Sequence, residues 1–237
     1  MGREVSIVEN YSLPGIAQPV SSLMHLIGAG VFAALSYLLL RRAAGRRGRF
    51  AALAVYTLSC VLLLSMSGVY HLLPFDRPAR AVMARLDHAA IFLLIAGTFT
   101  PVLGILLTGL QRWVPLILIW TAAITGVVFK TIYFADFPEW AGLAFYLGMG
   151  WASIVPAIEL WRLYGIAYIR PLIWGGIAYS AGALLEYLRW PAVVPGVIGP
   201  HEVFHVAVLV GMGCHWYFVA RLVADGPPER QPRTAKK

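Results

Sequence analysis

Residues 201 to 205 read His201-Glu202-Val203-Phe204-His205, an H-E-x-x-H at the head of an apolar run. On a helix the two histidines project about 40° apart and about 6 Å along the axis, close enough to grip one ion. In zinc peptidases this pattern supplies two ligands and a general base. Those enzymes add a third ligand downstream, and the extended form needs a glycine and a histidine where this chain has Val208 and Gly211. Glu229 falls in a charged tail, and the aspartate within the apolar runs, Asp87, lies far upstream. The motif therefore reads as a metal grip that lacks the peptidase's third ligand.

Other polar side chains interrupt the apolar runs at two further places: Ser67 and His71 in SMSGVYHLL, and Asp87 and His88 in RLDHAAIFLL. Ser67 and His71 share the i, i+4 spacing and face one point. Ionisable groups inside apolar spans are costly and mark function. His71, His201 and His205 offer three neutral imidazoles, the set that zinc uses when a fourth position stays open to water. Asp87 is then free to act as a general base or to orient a ligand. His88 is turned about 100° from Asp87, and His215 lies about 15 Å deeper than His205, so neither joins the site. His25, a few residues inside the same end of the first span, and Glu202 are candidates for supporting contacts to the ligands. Glu186, Arg189, Glu159 and Lys130 sit near span ends, where snorkelling or local pairing accounts for them.

The elements that must position these residues follow from composition. Hydrophobic residues make up 59% of the 237 and charged ones only 13%, with mean hydropathy +0.73, against about 25% charged in soluble domains. Apolar runs near the roughly 20 residues needed to cross a bilayer recur along the chain. They predict an all-α, polytopic membrane protein with a seven-transmembrane-helix bundle. The spans lie at about 19–40, 50–73, 86–109, 113–134, 140–161, 168–188 and 200–223. An N-terminal segment (1–18) precedes this domain (19–223), and a Pro-rich charged tail (224–237) is predicted to be disordered. In antiparallel order, the end of span 2, the start of span 3 and the start of span 7 fall on one membrane side. Three distant segments thus place their polar groups at one depth.

The net charge of +8 includes five arginines in RRAAGRRGR, 41 to 49, beside a span. This is a topology signal rather than the footprint of a nucleic-acid partner. Thirteen Lys and Arg fall on the side of that loop and six on the other, which predicts the N-terminus outside, the C-terminus inside and the polar cluster toward the outer face. Cys60 and Cys214 lie in apolar spans and imply no disulfide.

Several motifs in order, Ser67 to His71, LDHAAIFLLIAGTFTP (86–101), YLGMGW (146–151), GGIAYSAGALLEY (175–187) and HEVFHVAVLVGMGCHW (201–216), closely resemble the bacterial hemolysin III family. That family is a branch of the progestin and adipoQ receptor superfamily, which includes the adiponectin receptors and is related to the alkaline ceramidases. The resemblance implies a seven-helix protein of the bacterial cytoplasmic (inner) membrane, with Zn2+ on His71, His201 and His205. It puts Ser67 and Asp87 in the positions of the serine and aspartate beside the metal. In ceramidase-like relatives such a site hydrolyses a lipid amide with zinc-activated water. Asp87 would then take the proton and Ser67 would donate to the oxyanion. The chain departs from the family at the start of span 1, where Gln18, Ser21 and Met24 stand in a region that often carries Glu, Asn and a small hydroxyl residue. The expected function is therefore a hydrolase of a lipid-like amide entering from the bilayer. The alternatives are a zinc-stabilised receptor, sensor or membrane-homeostasis protein, and pore-forming cytolysis, for which seven apolar helices without a detachable amphipathic segment give little physical basis.

Overall fold

The computed structural model describes residues 12–229; the rest of the N-terminal segment and residues 230–237 of the predicted tail lie outside it. Among the described residues eight helices follow one another: α1 (Pro19–Arg42), α2 (Arg47–Leu72), α3 (Pro78–Leu106), α4 (Gly109–Ile132), α5 (Glu139–Trp151), α6 (Ile154–Tyr164), α7 (Ile166–Tyr187) and α8 (Pro200–Asp225). No β-strand is present among the described residues, and the protein is an all-α polytopic membrane fold.

Proline punctuates the chain. Pro19, Pro78 and Pro200 each open a helix, where the missing N–H costs nothing and the fixed φ suits the first turn. Leu73 is extended because Pro74 follows it, and α2 ends there. Pro156 cannot donate to the carbonyl of Ala152 and its ring crowds that carbonyl, so the fifth span breaks into α5 and α6 at Ala152–Ser153. Gly165 then ends α6 in a left-handed conformation (φ 83°), its N–H reaching the Trp161 carbonyl at 2.8 Å.

Among the described residues six segments are long and apolar enough to cross a membrane: α1 to α4, the α5–α6 pair and α8. Helix α7 carries Arg170 and Glu186 and is less apolar, but its 22 residues reach about 33 Å. Counting α5–α6 as one broken helix, seven segments form the bundle. They close a ring: α7 packs on α8, α8 on α1, α1 on α2, α2 on α3 and α3 on α4, while α5–α6 fills the gap between α4 and α7. The interior is part apolar, with Leu53, Leu64, Phe92 and Phe218 fully buried, and part polar, with Ser21, Ser22, His25, Ser67, His71 and His205 buried at one end. Outward faces carry bare apolar side chains such as Leu23, Ile27 and Val31 on α1 and Ile117 and Leu118 on α4, as lipid requires.

One expectation changes. The stretch LPFDRPARAVMAR, a connection by hydropathy, is mostly helix, because α3 begins at Pro78 rather than near 86. Hydropathy registers the lipid-soluble part of a helix; Arg80 and Arg85 continue the same helix past it.

Candidate metal centre

His71 lies in the last turn of α2, and His201 and His205 lie in the first two turns of α8. Helix α1 sits between them and fastens both. The Ser22 hydroxyl donates to the Gly68 carbonyl of α2 at 3.0 Å. A Cβ at Gly68 would stand 2.7 Å from Leu26 Cγ, so only glycine permits this approach of α1 and α2. On the other flank, the Glu202 carboxylate accepts the Ser21 hydroxyl at 2.7 Å and the Gly199 N–H at 2.8 Å. The two oxygens of Glu202 thus cap α8 and tie it to α1.

The candidate ligand atoms of His71, His201 and His205 all lie within 4.8 Å of one another. The outer nitrogens of His71 and His201 are held, whereas His205 Nδ1 has no partner among the described residues. Gln18 Oε1 accepts from Arg80 Nη2 at 2.9 Å and lies 2.6 Å from His71 Nδ1. An oxygen already receiving a guanidinium N–H is an acceptor, so His71 Nδ1 is the donor. Likewise His201 Nδ1 donates to Glu186 Oε1 at 3.0 Å. With both rings neutral, the two Nε2 atoms are left with lone pairs, and they face each other at 3.1 Å. Two such atoms at that distance need a proton or a metal ion between them. The His205 ring completes a triangle, 4.9 Å from His71 and 4.3 Å from His201 between centroids. These three residues could hold a metal ion.

His25 stacks on His205 with ring centroids 3.8 Å apart and planes 13° from parallel. Parallel rings keep their in-plane lone pairs in separate planes, so His25 backs the His205 ring instead of aiming at the same point. Neither of its ring nitrogens has a partner among the described residues. The Ser67 hydroxyl lies beside the Asp87 carboxylate on the facing helix, and both line one cavity with the three histidines. His88 turns its Nδ1 to the Ala84 carbonyl at 2.8 Å, and His215, further along α8, binds the Leu172 carbonyl at 3.1 Å.

Sequence reading misses three residues. It accounts for Glu186 by local pairing at a span end, yet Glu186 orients His201. Gln18, next to Pro19, orients His71. Lys130 does not snorkel outward: it is 7% exposed and faces the cavity. The available signal is that all three fall at the same membrane end as the histidines. The cavity has a volume of about 1350 Å³ and runs from this cluster between α3, α5, α6, α7 and α8 past Leu94, Leu160 and Ile173, large enough for a lipid-sized ligand.

The model of the family described as haemolysin-III related matches residues 17–216. The chain belongs to the haemolysin-III related family. Its matched region takes in Gln18, His71, Asp87, Glu186, His201 and His205. Among its relatives is Hemolysin-3 of Bacillus cereus, 34% identical over 175 residues, which cover 74% of this chain and 76% of that one. The Hemolysin-3 homolog of Bacillus subtilis (strain 168) is 30% identical over 165 residues, covering 70% and 74%. A plant protein, Heptahelical transmembrane protein ADIPOR2 of Oryza sativa subsp. japonica, is 30% identical over 182 residues, covering 70% and 79%. The family and superfamily drawn from the sequence motifs are borne out.

Proposed function

We propose that this haemolysin III protein is an integral membrane zinc protein that hydrolyses a lipid-like amide entering its cavity from the bilayer. The observation that carries the reading is the convergence of His71, His201 and His205, with Nε2 of His71 and His201 3.1 Å apart, beside Asp87 and Ser67 at the polar end of a lipid-sized cavity. An all-imidazole set suits zinc, and a tetrahedral site with Zn–N near 2.0–2.1 Å separates two nitrogens by about 3.3 Å. Zinc, when bound, supplies Lewis acidity that acidifies water and polarises a carbonyl.

The chain's own residues supply the rest. Gln18 and Glu186 fix the imidazole tautomers, so that Nε2 of His71 and His201 faces inward. Asp87 accepts the proton that an attacking water gives up and returns it to the departing amine nitrogen, which balances the hydrolysis. Ser67 donates its hydroxyl proton to the carbonyl oxygen as charge develops there. The apolar walls bind the chain and keep bulk water away. The arginine-rich α1–α2 connection supports an N-terminus outside and a C-terminus inside the bacterial cytoplasmic membrane, with the site opening toward the outer face; a reporter fused after Lys237 checks this.

A second reading has an observation of its own. The three histidines join the end of α2 to the start of α8, two helices separated by α1, as a structural staple would in a sensor without turnover. Metal analysis combined with a ceramide-like amide assay of purified protein tests both. Stoichiometric zinc with amide cleavage supports the hydrolase; zinc without cleavage of any lipid amide supports the staple. Protein that binds no zinc when expressed with ample metal overturns both.

A further inference from the structure

Lys130 occupies the last turn of α4, and its ammonium is turned into the cavity. Its Nζ lies 5.1 Å from the centre of the Phe134 ring and 5.3 Å from that of Phe137. It stands 3.9 Å from where a Cβ of Gly142 would be, so the absence of a side chain there leaves room for it against α5. A lysine at a span end ordinarily reaches for water; this one is buried under two aromatic rings. Among the described residues it forms no ion pair with a carboxylate. The nearby Glu139 pairs with Arg189 at 4.0 Å, and Glu186 is taken by His201. Asp87, beside Ser67, is within ion-pair distance of His88 and not of Lys130. Ring faces offset only part of the cost of withdrawing an ammonium from water. An oxyanion within the cavity would supply the missing partner.

We propose that Lys130 binds the oxyanion of an amphiphile, a carboxylate or a phosphate ester, whose hydrocarbon chain fills the cavity. The inference rests on the reading that the cavity takes a lipid-like amide and deepens it: the preferred substrate carries an anionic group away from the scissile bond. The class of ligand thus narrows from lipid amides in general to acidic ones.

The test is a binding measurement on the full chain in nonionic micelles at alkaline pH, with three probes of equal chain length: hexadecanoate, hexadecyl phosphate and hexadecanol. Each competes against a fluorescent fatty chain, before and after metal removal by chelation, because an oxyanion can also bind a metal. Metal-stripped wild type is expected to bind at least one anionic probe about ten-fold more tightly than hexadecanol, the effect of one charge-assisted hydrogen bond. Whether carboxylate or phosphate gains more identifies the source of the oxyanion. Lys130→Gln is expected to lose the preference while binding hexadecanol as before, and Lys130→Arg to keep it. Equal affinities for all three probes in stripped wild type, or an undiminished preference in Lys130→Gln, overturn the proposal. Should Lys130→Gln also lose hexadecanol, its cavity has collapsed and Lys130→Arg decides: retained preference supports the role, equal binding overturns it. Since no turnover is measured, absence of amide hydrolysis leaves this result standing.

Discussion

Glu186 Oε1 lies 3.0 Å from Nδ1 of His201, joining the last turn of α7 to the first turn of α8. A carboxylate on the outer nitrogen fixes the tautomer, aims Nε2 and raises its basicity as a ligand. Glu186→Gln keeps an acceptor but removes the charge, and Glu186→Ala removes both. Zinc affinity, read by competition with a chromophoric chelator, is expected to fall about ten-fold or more for the first and toward a hundred-fold for the second. Unchanged affinity in Glu186→Ala would remove this residue from the site.

An ion held by His71, His201 and His205 would join the end of α2 to the start of α8. A chelator should therefore lower the melting temperature of the wild type, by an amount that corresponds to about 2.7 kcal/mol when free metal stands at a hundred times its Kd. His205→Ala should melt low from the start and respond little to chelation. His215→Ala, which alters a buried contact to the Leu172 carbonyl, should lose stability while still responding. If His205→Ala and wild type respond to the chelator alike, the ion sits elsewhere.

The spans and the meeting of His71, His201 and His205 were legible because both depend on periodicity: long apolar runs fix the number of crossings, and antiparallel order fixes which ends meet. The supporting contacts were not. Glu186 and His201 are separated by a loop that turns through Trp190–Gly199, and no spacing rule relates them. Gln18 reaches His71 because the segment before α1 is strapped to the end of α2, with the Gln18 N–H on the His71 carbonyl at 3.0 Å. Such pairings arise from tertiary packing that hydropathy does not encode. Pro156 was visible, yet proline often kinks a membrane helix without breaking it. Here Gly148 and Gly150 weaken the preceding turns as well.

Glu202 offers a clean contrast with the peptidase motif. Its oxygens are engaged by Ser21 and Gly199, so it acts as a cap rather than a base. Glu202→Ala is expected to cost about 1 kcal/mol of stability, the range of a lost helix cap, measured by thermal unfolding in micelles. Ser21→Ala should cost less, since the Gly199 contact persists. Bound zinc should remain stoichiometric in both. Complete loss of metal from folded Glu202→Ala would return this residue to the ligand shell.

Asp87 separates an enzyme from a staple, because it lines the cavity beside Ser67 without being one of the three candidate ligands. Replacing it by asparagine preserves shape and hydrogen bonding while removing the capacity to hold a proton. If Asp87 carries the proton from water to the amine nitrogen, Asp87→Asn should retain its metal and its melting temperature. Turnover of a lipid amide should fall by about 10²–10⁴-fold, the usual worth of a general base. The informative comparison is with Ser67→Ala, which removes one donor to the developing oxyanion and should cost about 10²-fold in kcat with KM little changed. An Asp87→Asn protein that cleaves the amide as well as the wild type would need another base. Among the described residues lining the same cavity, Glu186 and Glu139 are already paired with His201 and Arg189, so their substitution in the Asp87→Asn background would be the next measurement.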